Sequence, residues 1–295
     1  MSQRGNASVA LVTCAELPDL DPDDRLLMAP LAAAGVSAEA KVWDDREVRW
    51  AEFDLVVLRS TWDYPARRDE FVAWARRVRR LANPPDVVVW NTDKRYLAEL
   101  AARGVPVVPT KWIWPGHDWN LPADGEWVIK PAIGAGSKDT GRYDAADPEH
   151  RWLAREHVTR LQAAGRMVMV QPYLSAVDRD GETALLFLDG TFSHAVRKGP
   201  MLTGPDDGTV GLYKPEQITP REPSPAEMAA AEAALAAVPG GRGRLLYARV
   251  DTIPGRDGEP RVMEVELAEP SLFLGQSQGA VQRFADAIVR RLPAR

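Results

Sequence analysis

Short apolar runs alternate with amphipathic segments over the first ninety residues. SVALVT, a stretch near Ala38 to Val42, FDLVVLRS and DVVVW read as strands, and PDDRLLMAPLAAAG and DEFVAWARRVRRL read as helices. Apolar strands between amphipathic helices predict a parallel sheet covered on both faces. Ligands gather at the carboxyl ends of such strands. The segment RSTWDYP, Arg59 to Pro65, follows the strongest of them.

The pattern then changes character. A helix is expected from Thr92 through DKRYLAELAAR to a glycine stop at Gly104, followed by a Pro- and Trp-rich link and the strand EWVIKP. After the turn IGAGSKDTG come a charged helix from about Pro148 to Ala164, the strand RMVMVQPYL, and a hairpin, ETALLFLDGTFSHAVRK, turning at Asp189-Gly190. The Gly- and Pro-rich stretch GPMLTGPDDGTVGLYKPEQITP reads as a long mobile loop, of the kind that often serves as a lid or binding loop. Ser224 and Glu227 form a capping box at the start of an Ala-rich helix. The strands LLYARVDTI and PRVMEVEL follow, and a last helix covers roughly Gly279 to Leu292.

Composition sets limits. With 295 residues, 45% hydrophobic, 27% charged and a net charge of -5, the chain has room for a large core and the make-up of an ordinary globular protein. The mild acidity argues against nucleic-acid binding, which needs clustered cations. The basic run at Arg76, Arg77, Arg79 and Arg80 falls on the polar side of an amphipathic helix. No apolar run is long enough for a membrane helix, and no secretory h-region is seen, so a cytoplasmic protein is expected. Cys14, the single cysteine, follows VALVT and reads as a small core residue.

One strand is loaded with acid. In VMEVEL, Glu264 and Glu266 share a face, and the Asp257-Gly258 turn signal sets Arg256 against Glu259 and Asp251 against Glu264. Arg249, Asp251, Glu264 and Glu266 then lie on one side of the hairpin. Three carboxylates so crowded require protons or cations. Hard oxygen donors suit Mg2+, with Mn2+ as its substitute, and the competing reading is a plain solvated face. Cationic groups for a phosphate are present too. Lys130 ends EWVIKP just before the small residues of IGAGSKDTG, although that turn is neither a Walker loop nor a Rossmann fingerprint, because Asp139 stands where the third glycine belongs.

In their order along the chain, NTDK, VIKPAIGAGS, VMVQPYLSAVDRDGE, ARVD and MEVELAEPS resemble the ATP-grasp superfamily, in its glutathione synthetase and D-alanine:D-alanine ligase branch. RSTWDYP and ELAEPSLF are similar to the group that includes the ATP-grasp enzymes of D-cycloserine biosynthesis. The resemblance implies an α/β and α+β chain, with an N-terminal parallel-sheet α/β (pre-ATP-grasp) domain over 1–91 and a two-subdomain ATP-grasp fold over 92–170 and 171–295. It implies ATP bound between the two subdomains, with Lys94 and Lys130 on its phosphates and Gly134, Gly136 and Ser137 in a glycine-rich loop above them. Gln171, Pro172, Tyr173 and Leu174 would recognise adenine, and either Asp178 or Glu182 would hold the ribose. Arg249, acting in catalysis with Lys130, would stabilise the transferred phosphoryl group, and Asp251, Glu264 and Glu266 would hold Mg2+, two ions being favoured. Many relatives carry Asn at the third of these positions; Glu266 adds a negative charge.

The expected chemistry is ATP-dependent ligation, by a carboxylate-amine ligase or a cyclo-ligase. A carboxylate or amide oxygen of a small amino-acid-like substrate is phosphorylated, and an amine closes an amide or a ring with release of ADP and phosphate. A small-molecule kinase and a noncatalytic nucleotide-binding protein are the alternatives. For the substrate, Arg59, Ser60, Thr61, Trp62, Asp63 and Tyr64 offer a cation, hydroxyls and an aromatic wall, the rival reading being a packed subdomain boundary. Arg197, Lys198 and Lys214 are further candidates, while His194 reads as structural because no partner would activate it. A homodimer fits the superfamily, though no surface declares an interface.

Overall fold

The computed structural model describes residues 7–208, 211–212 and 216–294; Lys214 lies outside them. The first sheet is parallel, as expected. Strands β1 (Ala7–Thr13), β2 (Val36–Val42), β3 (Leu55–Ser60) and β4 (Leu81–Ala82) are ordered β2-β1-β3-β4. Val9, Leu11, Leu55 and Val57 face one core, and Ala10, Val12, Val56 and Leu58 face another. Burial on both faces explains why these strands read as unbroken apolar runs.

Several helices depart from expectation. PDDRLLMAPLAAAG forms two short helices, α1 (Pro22–Arg25) and α2 (Met28–Ala33), separated at Leu26 and Leu27. The helix α3 (Arg68–Arg77) buries Phe71, Val72, Trp74 and Ala75 and exposes Arg76 and Arg77. DVVVW, expected as a strand, lies in helix α4 (Pro85–Asn91). Pro85 sits in its first turn, Val87, Val88 and Asn91 share its buried side, and β4 fills the sheet position, so tertiary packing overrides the valines' strand preference. Helix α5 (Tyr96–Ala102) starts four residues later than Thr92 and ends before Gly104, whose φ of 81° is a glycine conformation.

A second sheet is antiparallel and ordered β5-β8-β6-β7, built from β5 (Lys111–Ile113), β6 (Glu126–Pro131), β7 (Gly141–Asp144) and β8 (Val168–Pro172), with helix α6 (Pro148–Ala163) against it. The short helix α7 (Ala176–Asp180) leads into the third sheet, ordered β11-β10-β9-β12-β13. Its strands are β9 (Glu182–Leu188), β10 (Thr191–Lys198), β11 (Ile218–Arg221), β12 (Tyr247–Pro254) and β13 (Pro260–Glu266). Helix α8 (Pro225–Ala236) opens with the Ser224–Glu227 capping box. Helix α9 (Ala280–Arg290) packs Phe284 and Ile288 into a core shared by the first and third sheets. Among the described residues, no helix is long and apolar enough to cross a membrane.

Strand β13 lies at the sheet edge, where open backbone groups invite wrong pairing. Here they are covered. Asn91 donates to the Val265 carbonyl at 2.7 Å and accepts from the Leu267 amide at 2.6 Å, and the Tyr96 hydroxyl does the same for Val265 at 2.8 and 2.9 Å. The β12–β13 register sets Arg249 opposite Glu266 and Asp251 opposite Glu264, as expected. It does so by two offsetting departures: Gly255, rather than Arg256, pairs with Glu259, and a bulge at Met263 restores the alignment.

Candidate active site

A cavity of about 420 Å3 opens between the second and third sheets and reaches the loops that follow β1 and β3. Lys130 enters it from β6, Gln171 and Pro172 from β8, Lys198 from β10, Arg249 from β12, and Met263, Glu264 and Glu266 from β13. Lys94, Gly134, Gly136, Ser137, Tyr173, Leu174 and Glu182 line it as well. Thus most residues implied by the resemblance converge on one space.

The cavity has an apolar half and a charged half. Val108, Leu174, Val177, Ile253, Leu202 and Met263 pack together on the apolar side. On the charged side, Lys94 donates to the Gly134 carbonyl at 2.6 Å and pairs with Glu264 at 2.8 Å. Burial works against the Lys94 charge, but Glu264, with Glu266 and Glu269 beyond it, holds its pKa above the ordinary lysine value. Lys198 meets Asp251 at 2.9 Å, Glu182 at 3.1 Å and Glu216 at 3.7 Å. Arg249 bonds Asp251 through Nε at 2.9 Å and Nη2 at 3.1 Å, and also pairs with Glu266.

Lys130 differs from its neighbours. It lines the cavity without an ion-pair partner among the described residues, and burial, together with nearby Lys94, depresses its pKa against the pull of Glu264. A lysine so placed waits for an anion.

Among the described residues, no three His, Cys, Asp or Glu side chains are gathered to hold a metal ion. The expected carboxylate cluster is instead divided among protein cations, with Glu264 turned to Lys94, Asp251 to Lys198 and Arg249, and Glu266 to Arg249. Neutralisation is incomplete. Burial, with Glu264 and Asp251 adding to it and Arg249 opposing, pushes the Glu266 carboxyl up to about 8. The set is all oxygen, which fits a hard divalent cation in chemical kind.

Other expected residues are placed elsewhere. Asp178 does not line the cavity: it accepts from the Tyr173 hydroxyl at 2.5 Å and pairs with Arg142 at 3.4 Å, whereas Glu182 lines the cavity. Arg197 is held outside it by the carbonyls of Asp180 and Arg179. Of RSTWDY, the structure brings Trp62 to the cavity wall. Arg59 is buried at 1% exposure against Asp24 at 2.8 Å, Ser60 donates to the same carboxylate at 2.6 Å, and Thr61 is fully buried. Asp63 accepts from Trp43 and pairs with Arg67, and Tyr64 stacks on Phe71 in the core. These groups form a packed boundary in which the side chains of Arg59, Ser60 and Asp63 find internal partners, as polar atoms taken from water require, and only the Thr61 hydroxyl is left without one among the described residues.

His194 is also structural, bonded to the Leu272 carbonyl and the Ser193 hydroxyl. Cys14 is buried, and its thiol is pushed up to about 11 by burial. Asp139, which breaks the Rossmann pattern, anchors the glycine turn by pairing with Arg160 and Arg166.

A family described as D-cycloserine synthetase DcsG, N-terminal domain, matches residues 9–83. The cycloserine biosynthesis protein DcsG of Streptomyces lavendulae is 42% identical over 299 residues, covering 96% of this chain and 98% of that protein. The chain belongs to the DcsG family. A crystal structure of D-cycloserine synthetase DcsG superposes with a TM-score of 0.86 at 41% identity, over 97% of this chain and 100% of that one. D-alanine--D-alanine ligase from Bacillus anthracis shares the fold, with a TM-score of 0.63 at 13% identity and 97% of each chain covered. As a DcsG-family member of ATP-grasp fold, the chain is an ATP-dependent ligase.

Glu216, Asp21, Glu269 and Phe273 are among the cavity residues that escaped sequence reasoning. Glu216 ends the irregular loop, and Asp21 lies in the connection after β1, where no periodicity marks either of them. Glu269 and Phe273 stood within ELAEPSLF, a stretch chosen for its resemblance and not for its chemistry.

Proposed function

We propose that the chain catalyses ATP- and Mg2+-dependent closure of a ring in a small amino-acid-like substrate, the related amide ligation being the same chemistry between two molecules. A carboxylate or amide oxygen attacks the γ-phosphorus of ATP, and the bond to the β-phosphate oxygen breaks to leave ADP. An amine nitrogen then attacks the activated carbonyl, phosphate departs, and the nitrogen loses its proton to water. The relatives' names, which speak of cycloserine synthesis, favour ring closure.

The observation that carries this reading is Lys130, a cavity cation with no ion-pair partner among the described residues, standing beside a set of carboxylates already matched by Lys94, Lys198 and Arg249. In this reading Lys130 and Lys94 bind the phosphates, and the backbone of Gly134, Gly136 and Ser137 closes over them. Backbone groups of Gln171 to Leu174 recognise adenine against the apolar half, and Glu182, the cavity-lining member of the Asp178/Glu182 pair, takes the ribose hydroxyls. Arg249 is fixed by Asp251 and Glu266, so it meets the developing charge of the transferred phosphoryl group without reorganising. Glu264 and Glu266, with Asp251 behind them, supply the oxygens for one or two Mg2+ ions, Mn2+ serving in their place. Bound Mg2+ would offset phosphate charge and orient the leaving group.

The three sheets support division near 1–91, 92–170 and 171–295, with β8 carrying the central unit to Pro172. The test is substrate-dependent ADP release in a coupled assay with Mg2+, across amino acids and their ureido and hydroxamate derivatives. Release that disappears in Lys130→Ala and Glu264→Ala supports the reading. Failure of ATP to bind wild-type protein in calorimetry with Mg2+ overturns it.

A further inference from the structure

Away from the apolar half, the cavity ends among Asp21, Trp62, Glu269, Ser271 and Phe273, on the loops after β1 and β3 and the turn after β13. The charge balance differs here. Lys94, Lys198 and Arg249 are taken by Glu264, Glu182, Asp251 and Glu266, and Arg59 is taken by Asp24. Glu269, at 9% exposure, lines the cavity with no ion-pair partner among the described residues. The Tyr64 hydroxyl beside its carboxylate opposes the upward push that burial gives the Glu269 carboxyl, while its backbone carbonyl accepts from Trp62 Nε1 at 2.9 Å, and the next carbonyl, Pro270, accepts from Arg59 Nη2 at 2.8 Å. The end of β3 and the segment after it therefore fix this turn from behind.

A buried carboxylate whose nearest cations, Lys94 and Arg249, are paired with other carboxylates is costly, and one hydroxyl neighbour leaves most of its acceptor capacity open. We infer that Glu269 receives a primary ammonium group of the substrate, with Tyr64 and Trp62 as positioning residues that aim it. The inference rests on the phosphoryl-transfer reading of the same cavity and names what its substrate carries. It also has a chemical use. An amine held as ammonium has no lone pair, so it cannot attack the activated carbonyl in place of the ring-closing nitrogen.

The test is calorimetry on the full chain with ADP and Mg2+, comparing D-cycloserine with isoxazolidin-3-one, the same ring without the amine. Wild-type protein is expected to prefer D-cycloserine by about tenfold or more, as charge-assisted pairing in a buried site provides. Glu269→Gln should erase the preference, Glu269→Asp should restore part of it, and Tyr64→Phe should reduce it, while ADP affinity stays within about twofold in all three. If neither ring binds, the ring-closing reading fails, and the same comparison is made with alaninamide against propionamide. An amine preference there that Glu269→Gln abolishes upholds the role of Glu269. An amine preference that survives Glu269→Gln, or its absence in wild-type protein for every pair, overturns it.

Discussion

Asp251 and Glu264 stand opposite each other across the β12–β13 ladder, yet each carboxylate turns to a different lysine, Lys198 for Asp251 and Lys94 for Glu264. Directly opposed like charges are unfavourable in a ladder, and the two lysines, reaching in from β10 and from the segment before α5, remove that conflict.

Lys198 is the most heavily shared of these cations. Replacing it with Met leaves Asp251 and Glu182 buried without their common partner, and removing one member of a buried pair costs about 3–5 kcal/mol. Urea denaturation of Lys198→Met at neutral pH should show a loss of that size, and a loss below about 1 kcal/mol would contradict the account.

Lys130 should behave in the opposite way. With no ion-pair partner among the described residues and desolvation outweighing the pull of Glu264, it costs more than it contributes, so Lys130→Met is expected to melt no lower than wild type. Its affinity for ADP with Mg2+ should still fall by about tenfold or more, measured by calorimetry.

Asn91 tests the covering of the β13 edge. Asn91→Ala leaves the Leu267 amide unmet in a buried setting, where such a group costs about 1–3 kcal/mol, while the Val265 carbonyl keeps its bond from the Tyr96 hydroxyl. A stability loss of about 1–3 kcal/mol is expected by denaturant titration.

His157 gives the fold an acid limb. Its Nδ1 meets the Tyr143 hydroxyl at 2.8 Å, and burial drives its pKa from 6.5 down to about 4. Because the folded value lies below the unfolded one, the unfolded chain takes the proton first as pH falls. Stability from this group is whole above about pH 6.5 and drains away toward pH 4, by about 3 kcal/mol at most. His157→Gln should flatten that part of the curve of unfolding free energy against pH.

What the sequence made legible follows from local physics. The alternation of VMEVEL and the Asp-Gly turn were enough to place Asp251 against Glu264, although the turn was read one residue short and a bulge made up the difference. DVVVW misled because three valines speak for a strand whatever the neighbouring strands leave free. Arg59 and Asp63 looked like ligands for a substrate because sequence shows a charge without its partner, and Asp24 lies 35 residues from Arg59. Glu269 was passed over because its role depends on Lys94 and Arg249, the cations that act on it, being paired with other carboxylates, a fact visible only once the chain is folded.

The bulge at Met263 has a broader meaning. Along a regular strand, neighbours point to opposite sides, yet Met263 and Glu264 both line the cavity. The extra residue works like a phase slip in a two-beat rhythm. Before it the strand is in step with the apolar compartment, and after it with the ionic one, so the frontier between greasy and charged regions is one residue wide. Deleting Met263 would keep every charged side chain in the sequence and still put the two compartments out of step, which makes the number of residues between the turn and Glu264 as functional as their identity.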